Sequence, residues 1–299
     1  MTRRIGGIRP ALLAGCLLLA GLTVAGCSSG KASVPTDWSI FWRSIFQPDG
    51  LILSGLWLTV SIAVISQTLG LILGILAALG RMAKAWPLRA VAGIYIWLFR
   101  GTPLLVQIML VYFGLPAVGL YDFPTFTIPG INVAVPNAVQ AGIVALSLNE
   151  GAYMAEIVRA GILSIDPGQT EAAKSLGMTY GQTMRRIVLP QAARVIIPPL
   201  GNEFNNMLKT TSLLVVIGVR ELFVIFSYKN TTGSTSLQPF ALFLACAVWY
   251  LMLTTIWGFI QARIERRFGR GAAGAVEEEG FLSRVFGSRG SSGSTVGGR

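Results

Sequence analysis

The sequence predicts an all-α polytopic membrane protein of five spans, N-terminus outside and C-terminus inside. Three observations predict it. Of the 299 residues, 53% are hydrophobic and 12% charged, with a mean hydropathy of +0.64. Several apolar runs reach the ~20 residues that a helix needs to cross a hydrocarbon core. The basic residues fall between alternate runs, where cytoplasmic loops collect Lys and Arg. That segregation also accounts for the net charge of +11, in place of nucleic-acid binding. Histidine is absent from the sequence, which removes His metal ligands, His bases and His proton relays. Of the cysteines, Cys16 and Cys246 sit in apolar runs and only Cys27 lies outside one, so a disulfide framework is not expected.

Residues 1–27 read as a signal peptide or signal anchor: a basic start (Arg3, Arg4, Arg9), an apolar run, then small residues before Cys27. "VAGC" has the form of a lipobox, in which Cys27 is lipidated. An uncleaved anchor with a chance cysteine is the other reading. Both carry residue 28 onward outside the cytoplasm. The external segment 28–50 contains "TDWSIFWRSIF". Asp37 can cap a helix that sets Trp38, Phe41, Trp42, Ile45 and Phe46 on one face. Such a face suits the membrane interface or packing against a span.

The membrane region runs from 51 to 267. Residues 51–79 form the first span, followed by a basic loop with Arg81, Lys84 and Arg89. Residues 90–119 return outward, interrupted at Arg100, Gly101 and Pro103. The loop 120–136 carries Asp122, three prolines and no basic residue. Residues 137–163 cross inward to a basic stretch, 164–190. Residues 191–226 go outward and 238–262 come back, ending at Arg263, Arg266 and Arg267. Outer segments hold only Lys31, Arg43 and Lys229 as basic residues. Residues 268–299, rich in Gly and Ser, read as a disordered cytoplasmic tail.

The stretch 164–190 is polar inside an apolar chain. "DPGQ" fits a helix start, with Asp166 as N-cap, Pro167 at the first position and Gln169 in capping-box order. Gly177 is placed to end that helix in the left-handed conformation. "TYGQ", Thr179–Gln182, is a second capping box, and its helix is expected to stop near Pro190. The spacing thus predicts two short helices with a glycine elbow. Their apolar residues (Ala172, Ala173, Leu176, Met184, Ile187, Val188) are too few to span a bilayer. They suit either docking on another protein or a solvated loop over the span ends.

Glu171, Ala172, Ala173, Gly177, Ile187, Leu189 and Pro190 match the EAA loop of ABC importer permeases over twenty positions. "GLWLTVSIAVISQTLGLILGILAALGR", "RGTPLLVQ", "LNEGAYMAEIVRAGI", "LPQAARVIIPPLGNEF" and "LKTTSLLVVIG" likewise resemble the permeases of polar amino-acid importers, across roughly residues 36–267. The resemblance implies the five-span ABC type-1 transmembrane domain. It implies that the seven loop residues couple the spans to separate ABC ATPase subunits, with a second permease subunit and an extracellular or periplasmic amino-acid-binding protein as further partners. It also implies a bacterial cytoplasmic membrane. No cofactor is expected in this chain, because its single "GK" (Gly30–Lys31) has Ala25 where a phosphate loop needs its first glycine. ATP would be bound by the partner.

Ionisable and amide groups inside spans are costly and mark candidate pathways. Asn149, Tyr153 and Glu156 share a helix face. Arg100 lies inside the second span, and Asn202 and Glu203 follow Pro198–Pro199 in the fourth, where the prolines are expected to interrupt the helix. A zwitterionic amino acid needs a cation for its carboxylate and an anion for its ammonium. Arg100 and Glu156 are the candidates, with Asn149 and Tyr153 as polar contacts. An internal Arg100–Glu156 pair that only joins spans is the alternative, as is a Lys209–Glu203 pair. Two departures from the family pattern bear on substrate charge: Lys209-Thr210-Thr211-Ser212-Leu213 lacks a carboxylate, and Ala160 stands where glycine is frequent. A stand-alone ion-coupled carrier or channel competes as a function, but does not explain the EAA loop. An enzyme lacks support: the sequence offers no metal cluster, nucleophile elbow or His base.

Overall fold

A computed structural model describes residues 35–128, 133–232 and 235–268. The signal-like segment with Cys27, and the tail beyond Phe268, lie outside the described residues.

Asp37 accepts the Ser39 amide at 2.9 Å and starts α1, Trp38–Phe46. Asp49 accepts the Ile52 amide at 3.0 Å and starts α2, Gly50–Met82. The basic loop leads into α3, Trp86–Gly101, with Pro87 in its first turn, where a missing N–H costs no bond. After a break at Thr102–Pro103 comes α4, Leu104–Met109, continued by a π turn, Leu110–Gly114, and Leu115–Ala117. The chain direction bends by 108° between these two arms, more sharply than an interruption at Arg100–Pro103 suggested. The orphaned carbonyls of the break are satisfied internally, as membrane depth demands: the Gln107 amide donates to Phe99 O at 2.9 Å and Thr102 O at 3.0 Å.

The outer loop holds a small antiparallel ribbon, β1 Phe126–Ile128 with β2 Val133–Val135, pairing Phe126 with Val135. Among the described residues the fold is therefore helical except for this ribbon. Then follow α5, Asn137–Leu163, α6, Pro167–Ser175, and α7, Tyr180–Thr183. The helix α8, Leu189–Thr210, passes into a 3-10 segment, Thr211–Ile217. The last two are α9, Leu222–Thr231, and α10, Pro239–Phe268.

Among the described residues, Gly50–Met82 and Pro239–Arg267 are long and apolar enough to cross a bilayer. Two bent pairs pass the same test when each is joined, as a broken span or a re-entrant loop. α5, at 27 residues, has the length but carries Glu150, Glu156 and Arg159, so its neighbours must shield it from lipid.

The centre is the α2–α5 contact. Gly70 and Gly74 lie one turn apart on α2, in the small-residue spacing that lets membrane helices approach closely. A Cβ on Gly74 would sit 2.3 Å from Met154 Cβ, and one on Gly70 would sit 2.7 Å from Glu150 Cβ. Around this pair, Ile62, Ile108, Leu146 and Leu214 form one buried cluster. A second joins Ile52 to Leu222, Phe226 and Leu242.

α1 rests on that second cluster, and its aromatic face is divided. Phe41 and Ile45 pack inward, while Trp38, Trp42 and Phe46 remain 49%, 55% and 72% exposed. Trp38 meets Phe240 edge-on, and the Trp249 indole donates to Ser44 O at 3.1 Å. The Lys229 ammonium pairs with the Asp49 carboxylate. Partial burial pushes that carboxyl up, but Lys229 and the Ile52 amide hold it below its ordinary value.

Candidate functional site

The candidate residues gather in two places, the loop Asp166–Pro190 and a cavity between α4, α5 and α8. In the loop, Asp166 Oδ1 accepts the Gly168 amide at 2.8 Å, capping the second position of α6 rather than closing a box with Gln169. α6 ends in a double closure. The Gly177 amide donates to Lys174 O at 2.9 Å, and the Met178 amide to Ala173 O at 3.0 Å. Gly177 has φ +77°, a conformation that costs any residue with a Cβ about 1–2 kcal/mol. The second capping box forms as spaced: the Gln182 amide donates to Thr179 Oγ1 at 3.4 Å, and the Thr179 amide to Gln182 Oε1 at 2.9 Å.

The second helix does not stop near Pro190. It widens into a π turn, Met184–Val188, in which the Leu189 amide reaches Met184 O, and continues as α8. Proline lacks an N–H and crowds the carbonyl four residues earlier. A locally widened turn relieves both without ending the helix. The loop is thus one short helix and an elbow attached to the start of a span, not two free helices. The expected break at Pro198–Pro199 is likewise absent, since both prolines lie inside α8. Gln261 of α10 donates to Pro198 O at 3.4 Å and to Asn202 Oδ1 at 3.1 Å, tying this stretch of α8 to its neighbour.

Of the loop residues, Glu171, Ala172, Gly177, Leu189 and Pro190 are exposed and Ile187 is half-buried. Ala173 and Val188 are buried, Val188 in a cluster with Ala78, Val158, Ile162 and Ala192. Two apolar residues expected to face a partner therefore pack into the chain's own core. The most outward apolar residues are Leu176, 83% exposed, and Tyr180, 67% exposed. Sequence reasoning missed Tyr180, because the elbow resets the helical phase and no periodicity runs through it.

The cavity measures ≈ 390 Å³ and is lined by Asn149, Glu150, Tyr153, Glu203, Asn206 and Lys209, among others. Three of the expected residues meet here: Asn149, Tyr153 and Glu203. Asn149 donates to Gln107 Oε1 at 2.9 Å and Phe99 O at 3.2 Å, which ties the cavity to the 108° bend. Glu150, missed in the sequence, is buried and accepts from Gln67 Nε2 at 2.9 Å. It stands beside Asn149, on a helix whose mixed burial gives little period. Glu203 and Lys209 share the wall without forming an ion pair.

The alternative arrangement, an internal Arg100–Glu156 pair, is not made. Glu156 binds Arg159 one turn on, at 2.7 Å. The Arg100 guanidinium lies 5.5 Å from the centre of the Tyr153 ring, within cation–π range. Asn202 faces α10, accepting from Gln261 at 3.1 Å. A cavity holding both signs of charge and several amides can bind a small zwitterion at either end.

Residues 70–270 match the family described as binding-protein-dependent transport system inner membrane component, and the chain belongs to that family. It is similar to the arginine transport system permease protein ArgU of Corynebacterium glutamicum, 40% identical over 216 residues, which cover 72% of this chain and 67% of that protein. It is also similar to the L-cystine transport system permease protein TcyB of Bacillus subtilis, 39% identical over 234 residues, 78% of this chain and 93% of that one. A chain of a solved amino acid ABC transporter, crystallised with histidines, superposes with a TM-score of 0.67 at 37% identity. The match covers 78% of this chain and 100% of that one. The protein is the membrane-spanning permease subunit of an ABC importer and not an enzyme, as the EAA resemblance implied.

Proposed function

We propose that this permease carries polar amino acids inward across a bacterial cytoplasmic membrane. It works with a second permease subunit, two ABC ATPases and an external amino-acid-binding protein. Its membrane domain crosses five times, N-terminus outside and C-terminus inside. The ATPases seat on Glu171, Ala172, Gly177, Ile187, Leu189 and Pro190, with Leu176 and Tyr180 supplying apolar contact and buried Ala173 supporting them from within. The observation that carries the loop assignment is its rigidity: α6 is capped at one end and doubly closed at the other, and the elbow joins directly to α8. A push on α6 is therefore delivered to a span and not absorbed by a slack loop.

The polar relatives support amino acids as the cargo, and the ≈ 390 Å³ cavity supports a place for them. Lys209 takes the carboxylate and Glu203 the ammonium, with Asn149 and Tyr153 beside them. Arg100, over Tyr153, flanks the site, and Glu156 orients Arg159.

The test is uptake of labelled amino acids into proteoliposomes holding the chain, its ATPase and its binding protein. Lys209→Ala and Glu203→Gln are expected to lower ATP-driven uptake by about tenfold or more, the worth of a hydrogen bond to a charged group, with the ATPase still bound. Wild-type uptake in both variants would remove the cavity from the route. Uptake without ATP or the ATPase would replace the importer with an ion-coupled carrier.

A further inference from the structure

A cavity of ≈ 700 Å³ lies at the hairpin end of the molecule, apart from the one that holds Glu203 and Lys209. Trp57, Ser61 and Ile65 of α2, Tyr112 of the π turn and Asn137 of α5 contribute to its walls. Most of the lining is apolar, and Arg220, in the turn before α9, is its one charged residue. Arg220 is exposed and joins neither ion pair among the described residues.

Its depth in the membrane follows from its neighbours. The hydroxyl of Thr59 donates to Glu221 Oε2 at 3.2 Å and accepts the Leu222 amide at 3.1 Å. α2 has 33 residues, about 50 Å of helix against a hydrocarbon core of ~30 Å. Centred on that core, it overhangs by about 10 Å at each end, and Thr59 stands about 14 Å along it. Arg220 therefore starts a few ångströms inside the core boundary. A long basic side chain reaches the phosphate level from there.

The α2 wall is exposed on the surface of this chain. Trp57 is 74% exposed and Ile65 44%, and Val64, Leu69 and Ile72 extend the same apolar surface along the helix. An acyl chain can enter sideways without crossing a polar rim. We propose that this cavity seats one anionic phospholipid from the adjacent leaflet, its phosphate on the Arg220 guanidinium and an acyl chain along Trp57 and Ile65. Guanidinium and phosphate match in charge and in bidentate geometry. An amino-acid cargo fits less well, because the lining offers no carboxylate for its ammonium. The proposal rests on the membrane fold alone and stands apart from the assignment of cargo.

The test counts lipids by native mass spectrometry. The full chain, complexed with its ATPase, is released from micelles containing phosphatidylglycerol or phosphatidylcholine. Wild type is expected to retain one phosphatidylglycerol per chain and to favour it over phosphatidylcholine. Arg220→Gln should weaken that retention about fivefold, the worth of one basic residue beside anionic lipid, and Arg220→Lys should restore most of it. Ser61→Trp, which fills the cavity and leaves the charge, should also lose the lipid. Equal retention in wild type and Arg220→Gln would overturn the proposal, as would equal retention of phosphatidylcholine. Displacement of the lipid by free amino acids, or a Ser61→Cys cross-link between two copies, would assign the cavity to cargo or to a second subunit instead.

Discussion

Glu221 is completely buried, yet both carboxylate oxygens are occupied. Oε1 accepts the Val224 amide at 3.0 Å and caps α9, while Oε2 accepts the hydroxyls of Thr59 at 3.2 Å and Tyr250 at 2.7 Å. One side chain thus ties α2, α9 and α10 together, and deleting it strands two hydroxyls and an amide. Glu221→Ala should cost about 2–4 kcal/mol, the sum of a lost cap and buried groups left unpaired. Thermal unfolding in detergent would show it as a lowered midpoint, and an unchanged midpoint would deny Glu221 this role. Nothing local in the sequence marked this residue. Glutamate is not among the favoured N-caps, and its partners Thr59 and Tyr250 lie far away in the chain. Glu150 escaped notice for a related reason, since only the approach of α2 brings Gln67 to it. Asp166, Thr179 and Gly177 were legible because their partners lie within five residues.

At the scale of elements, the α2–α5 seam depends on the absence of side chains at Gly70 and Gly74. Gly74→Val places branched carbons where Met154 already stands 2.3 Å from a single Cβ. Overpacking of this kind costs about 1–3 kcal/mol, and here it also parts the helices that hold Glu150 beside Gln67. Gly181→Ala is the matching control, because a Cβ there meets nothing within 4 Å. Unfolding midpoints of the two variants should separate clearly, and equal midpoints would mean that the seam is not tight. Helix existence was readable from hydropathy and caps throughout this region. Helix continuity was not. Pro190 and Pro198–Pro199 read as stops, but a π turn leads the chain past the first and the second pair lies inside α8. The opposite error fell at Arg100–Pro103, where Gln107 stabilises a far sharper bend than its sequence announces.

In the whole molecule, a capped loop leads into α8, and α8 carries one wall of the charged cavity. The chain's motor is proposed to be a separate ATPase, and its cavity among the described residues is open. Its exposed polar surface at depth, Asn206 and Lys209 on α8, requires a polar neighbour such as a second permease subunit. The family was legible because the EAA loop fixes residue types over twenty positions. The cavity was only half legible, since Asn149, Tyr153 and Glu203 converge through folding with Glu150 and Lys209. The central claim is that the elbow at Gly177 passes force from an ATPase to α8. It is tested most directly by the ratio of ATP hydrolysed to amino acid taken up in proteoliposomes of the complete complex. In Gly177→Pro the ring cannot adopt φ +77°, so the account predicts continued hydrolysis with uptake lowered by about tenfold or more, as expected when a rigid connection is misplaced. An unchanged ratio at wild-type uptake would contradict it.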